Sequence, residues 1–315
     1  MKIFIKIINL VFFIIILNSN IAFSIEKIKI GLLVPLSGAH KEIGKSIVQS
    51  VRLAINKIDN PNLEILPRDT GSNPEQTLKS AKELGDEGVK VVIGPIFNEN
   101  LIYLSELDNL TFLSLTNRII DNPKNIISAG INARSQLKTI KKFQKNEKIK
   151  KTIFLIPKED YKREIKKAIL DSRIKTSKIH YYETDPTKLT KQIEKITRYS
   201  IRKQNLEDEI NRIKNSNDSN KKKKIKRLEQ RYTLGGLNFD AIIIADFDEG
   251  LKSVSTSLLY TDVLPKNKYF ITLNQWFDKS LLNEIDIQPL YYPSINKDNF
   301  ENYKEKFFGE FNEYP

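Results

Sequence analysis

The sequence predicts an α/β chain of two lobes, each a parallel sheet covered on both faces by helices, with a helical hairpin inserted in the second lobe. Three observations predict it. Short, continuous Val/Ile/Leu runs alternate with amphipathic stretches of helical length, the pattern of buried parallel strands and crossover helices. The pattern restarts near residue 135. One long stretch, residues 187–232, keeps a helical period with no strand in it.

The elements follow in order. Lys29 to Pro35 (KIGLLVP) reads as a buried strand. Ile43 to Ile58 reads as a helix presenting Ile43, Ile47, Val51, Ala54, Ile55 and Ile58 on one face. Leu63 to Leu66 is a second strand, ending in Arg68-Asp69-Thr70. Asn73-Pro74-Glu75 then starts a helix, with Asn as cap and Pro at the first helical position. Val89 to Ile93 is a third strand broken by Gly94-Pro95, and Asn98 to Leu107 a third helix. Leu110 to Leu115 and Ile126 to Ala129 complete the first array. In the second, Lys151 to Pro157 and Lys178 to Tyr182 are strands around a helix from Tyr161 to Asp171. Phe239 to Ala245 and Tyr269 to Thr272 flank a helix from Leu251 to Tyr260.

Two such arrays imply lobes at 25–135 and 136–315, Rossmann-like in construction. Right-handed crossovers turn the strand ends of both toward a shared cleft. Within the second lobe, Leu189 to Ile213 is helical in pattern, "NSNDSNKKKK" (215–224) breaks it, and Ile225 to Tyr232 resumes it. Glu207, Asp208 and Glu209 would face the basic return arm, which predicts an antiparallel helical hairpin.

Hydrophobic residues at 40% and charged residues at 29% mark a globular chain, so a disordered scaffold is excluded. Lys2 and Lys6, the apolar run Leu10 to Leu17 and the small residues of Ala22-Phe23-Ser24 make residues 1–24 a cleavable secretory signal peptide. The apolar run is short for a membrane anchor, and no later stretch reaches spanning length, so no membrane span is expected after cleavage. With no cysteine there is neither a disulfide nor a thiol for a lipid anchor. Export to a bacterial periplasm without lipidation is the expectation. The net charge of +13 concentrates in residues 187–232, where fifteen Lys/Arg meet six Asp/Glu. The remainder sums to near neutrality, so nucleic acid is not an expected partner. That basic segment is either a solvated insertion or an arm for an anionic envelope polymer or a partner protein.

Enzymatic signatures are sparse. His40 and His180 are the only histidines and no ligand cluster has metal spacing, so no metal and no cofactor are expected. There is no Gly-x-Ser-x-Gly elbow and no Gly-x-x-x-x-Gly-Lys-Ser/Thr phosphate loop, because Ala39 stands where Gly44-Lys45-Ser46 would need its leading glycine. "GLLVPLSG" places Pro and leucines where a dinucleotide-binding turn needs glycines. What remains is polar groups at strand ends: Ser37 and Gly38 after the first strand, Asn98 after the third, Ser114, Thr116 and Asn117 after the fourth. The second lobe supplies Tyr161 and Asp246, Asp248 and Glu249. Amides and hydroxyls at helix starts hold a carboxylate, and an acid across a cleft holds an amine. Taken singly, Ser37, Asn98 and Thr116 have the character of helix caps; their shared placement is what points to a binding cleft.

"IKIGLLVPLSG", "ILPRDTGSNPEQTLKSAKELGDEGVKVVIGPI" and "LIPKEDYKREI" resemble the leucine/isoleucine/valine-binding type of periplasmic binding protein, the type I fold. The likeness runs in order through almost all of residues 27–315. "LTFLSLTN", "FDAIIIADFDEGLKSVSTSLLYTDVLP" and "ITLNQWFD" resemble, more narrowly, exported activators of penicillin-binding proteins built on that fold. The resemblance implies two lobes joined by three hinge crossovers and closing on a ligand. In amino-acid-binding members a Ser after the third strand and a Thr after the fourth hold the ligand carboxylate; Asn98 and Arg118 stand there in this chain. Asp246, Asp248 or Glu249 is the implied partner of the ligand amine. Tyr161 matches the Tyr that closes the cleft, but is followed by Lys162 in place of Gly. Arg118 keeps a preference for an anion of altered shape. The resemblance also implies a further helix after "FFGEFNEYP", so the second lobe is either truncated or completed in some other way.

Two functions follow. The first is a non-enzymatic periplasmic receptor that captures a small polar, amino-acid-like or anionic molecule for an ABC transporter permease. The alternative is a module of the same fold that regulates peptidoglycan synthesis through a penicillin-binding protein.

Overall fold

β1 (Ile28–Val34) is apolar enough on both faces to sit inside a sheet, and it lies between β2 (Leu63–Asp69) and β3 (Val91–Ile93). With β4 (Thr111–Ser114) and β5 (Ile126–Ser128) the order is β2-β1-β3-β4-β5. Every pairing is parallel, so each connection must cross over. The computed structural model describes residues 27–118, 123–158, 162–273 and 283–315, so the expected signal peptide lies outside the described residues.

The first two crossovers are α1 (Lys41–Ile58) and α2 (Pro74–Asp86), the latter capped by Asn73, whose side chain accepts from Gln76 N at 3.0 Å. Between β3 and β4 the expected helix is absent. Two 3-10 turns, Asn98–Leu101 and Leu104–Glu106, stand there instead. Leu101 and Leu104 are spaced by three and both buried, so the tighter 3.0-residue period puts them on one face.

The second sheet is β10 (Leu290–Tyr291), β9 (Tyr269–Thr272), β8 (Ala241–Ile244), β6 (Thr152–Pro157) and β7 (Lys178–Tyr182) in that order, again all parallel. α3 (Ala133–Asn146) and α4 (Lys162–Ser172) cover one face, where Leu137, Ile140, Phe154, Ile165 and Ile243 pack together. α5 (Pro186–Thr197) and α8 (Asp248–Tyr260) cover the other, with Leu155, Ile193, Ile242, Leu251 and Phe270. The parallel sheet expected to be covered on both faces is therefore present in this lobe.

The first lobe differs. Its buried cluster, Leu33, Leu84, Val92, Phe112 and Ile126 among others, lies on the α2 side alone. On the opposite face, reached by the alternating residues of the same strands, Val91 and Ile127 are 36% and 52% exposed. α1 covers only part of it, and Ile43 and Ile58 on the stripe expected to be buried are exposed.

The inserted segment is a helical hairpin, with one correction. The run from 189 to 213 is two helices, α5 and α6 (Tyr199–Lys214), separated where Arg198 adopts φ +56°. α7 (Lys221–Glu229) starts inside the lysine run and returns along α6. Buried Arg202 fixes the hairpin to the lobe, donating to Thr261 O at 3.0 Å, Asp262 O at 3.2 Å and Thr233 Oγ1 at 2.6 Å.

The last helix, α9 (Lys297–Phe311), lies against α1 of the first lobe. Glu313 pairs with Lys45 at 2.7 Å and accepts from Gln49; Ser50 and Tyr303 share a hydroxyl contact at 2.7 Å. Among the described residues no helix is long and apolar enough to cross a membrane.

Candidate functional site

The carboxyl ends of the parallel strands bring the polar loops together, and Asp69 organises the first of them. Register sets Asp69, the last residue of β2, beside Val34 at the end of β1. Its Oδ1 accepts from Leu36 N at 2.8 Å, Ser37 N at 3.3 Å and Gly71 N at 2.8 Å, and its Oδ2 from the Ser37 hydroxyl at 2.5 Å. Burial alone pushes this carboxyl up. The donors from Ser37, Gly71 and Leu36 outweigh it and hold the group below the ordinary carboxylate range. The Ser37 hydroxyl proton is therefore committed to Asp69. Gly38 has φ +77° with open space where a Cβ would stand, so its part is to turn the chain.

After β3, half-buried Asn98 opens the first 3-10 turn. Two residues on, Asn100 is buried, and neither amide atom has a hydrogen-bond partner among the described residues. After β4, Thr116 is buried; its N donates to Ser114 Oγ at 3.3 Å and its Oγ1 accepts from Arg118 N at 3.2 Å. That turn leaves Asn117 exposed and sends Arg118 toward the second lobe, where Arg118 Nε lies 3.8 Å from Glu164 Oε2. Glu164, in the first turn of α4, is buried, whereas Arg118 is 45% exposed.

The three acids of the second lobe separate. Asp246, just past β8, is 4% exposed and accepts hydrogen bonds from Phe247 N at 2.9 Å and from the Tyr182 hydroxyl. Asp248, at φ +44°, and Glu249 are exposed in the first turn of α8, and Glu249 pairs with Lys252 at 3.0 Å. Tyr161 lies outside the described residues. Of the sequence-derived set, then, Ser37 and Gly38 share the Asp69 loop, and Thr116, Asn117 and Arg118 share one turn. Within that set, Arg118 alone makes a described ion pair across the lobes.

Four residues escaped sequence reasoning: Asp69, Asn100, Glu164 and Tyr182. Asp69 carried a signal, being the acid at the end of a strand. Glu164 carried none, because "KREI" reads as an ordinary solvated helix start. Chemically, an anion arriving at Arg118 would share its guanidinium with Glu164.

The family model described as periplasmic binding protein matches residues 27–196, more than half of the 315. The chain belongs to the periplasmic binding protein family. Its fold is the type I, leucine-binding-like form with two parallel-sheet lobes. Among solved structures, a branched-chain amino acid ABC transporter periplasmic ligand-binding protein from Burkholderia xenovorans is similar over 92% of this chain and 73% of its own. The TM-score is 0.55 and the identity 11%. The C-domain of LpoA from Haemophilus influenzae, a regulator of PBP1A, is similar over 80% of this chain and 67% of its own, with TM-score 0.50 and identity 16%. This chain spans 41% of the length of full-length LpoA from the same organism, at TM-score 0.52 and identity 16%. At these identities the likeness is one of fold. No curated protein sequence matches the chain. The family and these neighbours are binding proteins and regulators.

Proposed function

We propose that this periplasmic binding protein is a non-catalytic interaction module of the bacterial envelope, regulating peptidoglycan synthesis through a penicillin-binding protein. The observation that carries the reading is the cleft pair Arg118–Glu164. The cation best placed to receive a ligand carboxylate already faces a buried carboxylate of the opposite lobe. Ser37 and Asp246, which a receptor would turn toward its solute, are likewise engaged by Asp69 and Tyr182. A cleft satisfied from within suits a scaffold whose surfaces do the work. The likeness to a domain of LpoA adds a precedent for this fold in such a role.

Solute capture for an ABC importer is the second reading, and Asn100 favours it: a buried amide without a partner among the described residues is a group that a polar ligand would satisfy.

One pair of measurements separates them. Penicillin-binding proteins, labelled with a fluorescent penicillin, should be retained from source-cell membranes by the immobilised protein. A thermal-shift screen of amino acids, small carboxylates and peptides should stay flat. A solute at about a thousand times its dissociation constant would add about 4 kcal/mol, several degrees of melting temperature. Such a shift without retention would replace the proposal by the importer reading.

A further inference from the structure

The near-neutral sum outside residues 187–232 hides a second basic region. Residues 133–178 contain sixteen Lys/Arg and five Asp/Glu, offset by residues 233–315 with seven Lys/Arg and thirteen Asp/Glu. Much of this charge converges on one hollow. Lys138, Lys141, Lys142 and Lys145 occur at i, i+3, i+4 and i+7 of α3, which places their ammonium groups on one face, turned away from buried Leu137 and Ile140. Lys148 and Lys175 line the same concavity, of about 670 Å³, together with Ile149 and Ser172.

The walls are fixed by polar contacts. Lys141 Nζ donates to Ser172 O at 3.2 Å, and Gln144 Nε2 donates to Thr152 Oγ1 at 2.8 Å and Lys175 O at 3.3 Å. No carboxylate lines the hollow, and among the described residues none of the six ammonium groups makes an ion pair.

Like charges at i, i+3 and i, i+4 spacing weaken a helix. Favourable interaction with helix C-termini accounts for one or two lysines per helix end, which leaves most of this set unexplained by folding. We propose that this groove binds a short oligophosphate, a chain of closely spaced phosphate groups. Every cation lining it is Lys, a compact ammonium that donates in any direction and suits tetrahedral phosphate; a planar carboxylate would be better met by the Arg fork, which is absent here. The concave shape and apolar lysine stems favour a soluble chain over a flat lipid surface. Thr152 begins β6 and Pro157 ends it at the cleft, so the groove lies at the far end of that strand, roughly 17 Å away. It is independent of what the cleft does.

The test titrates the full chain with inorganic tripolyphosphate by calorimetry, beside orthophosphate at matched ionic strength and phosphatidylglycerol vesicles. K142E/K145E alters the groove. K222E/K223E makes the same charge change on α7. Saturable tripolyphosphate binding is expected, weakened about tenfold or more by K142E/K145E and less than about threefold by K222E/K223E, and falling with salt. Orthophosphate should bind at least about tenfold more weakly. Circular dichroism establishes that both variants fold. Absence of saturable binding, equal loss in the two variants, or binding to vesicles alone would each overturn the proposal.

Discussion

Arg118 Nε and Glu164 Oε2 stand 3.8 Å apart, joining the turn after β4 in one lobe to the first turn of α4 in the other. Contacts between lobes of this kind decide how far a two-lobed chain opens, because each lobe has its own core and moves as a body. Reversing the cation in R118E would set two carboxylates against each other, one of them buried. The radius of gyration from solution scattering should rise, and E164K added to R118E should bring it back. A double-mutant cycle with alanine should give a coupling of about 0.5–1 kcal/mol that shrinks with salt, since Arg118 is half exposed. An R118E variant with an unchanged scattering curve would mean that the pair does not hold the lobes.

Asp69 sets an acid limit on the first lobe. Its folded pKa lies below that of the unfolded chain, so its stabilisation is complete above the unfolded value. It is lost as pH falls through the folded value, when protonation removes the acceptor for Leu36, Ser37 and Gly71. D69N should cost about 1 kcal/mol at neutral pH, discounted for the solvent that reaches this loop. Between pH 7 and pH 3 the gap in denaturant midpoint between the two proteins should hold steady down to about pH 5 and then narrow. A constant gap across that range would assign the loss to packing and not to the charge.

These two residues also mark how much was legible beforehand. The strands were, because runs such as "KIGLLVP" and "TIFLIP" are apolar without interruption and their burial is continuous in β6. The Asn73 cap was, because capping is local. Placement of polar residues at strand ends follows from parallel topology, so the candidate loops could be located. Their partners could not. Glu164 lies in a charged helix start and meets Arg118 only through the docking of two lobes, and Asp246 gives no sign in sequence that Tyr182 will engage it. The 3-10 turns after β3 went unseen because the spacing of Leu101 and Leu104 fits an α-helix equally well. The α3 groove was hidden by arithmetic, a basic segment cancelling an acidic one.

Arg202 anchors the hairpin. Burial pulls its guanidinium pKa down, opposed by the charge of Asp262, which lies 3.6 Å away. Removing the side chain in R202A strips partners from Thr233 and Asp262 and opens a gap below α6. A loss of about 3 kcal/mol is expected, and limited proteolysis should cut first in the link 215–220 between α6 and α7. R202K, which keeps the charge but not the fork, should recover part of the loss. Wild-type resistance to cleavage in R202A would show that the hairpin is held by its apolar contacts, Leu206 and Ile213 among them.

The two faces of the first sheet should respond oppositely to substitution. Phe112 is fully buried in the cluster with α2, so F112A removes a large side chain from a packed site and should cost about 3–5 kcal/mol. Ile127, on the neighbouring strand β5, points to the opposite face and is half exposed. I127K should change stability by no more than about 0.5 kcal/mol, the lysine stem covering the apolar surface while its ammonium stays in water. Urea unfolding of both variants, followed by circular dichroism, gives the comparison. A cost for I127K approaching that of F112A would require the open face to be covered in solution. Concentration dependence of the midpoint would then identify a second copy of the chain as the cover.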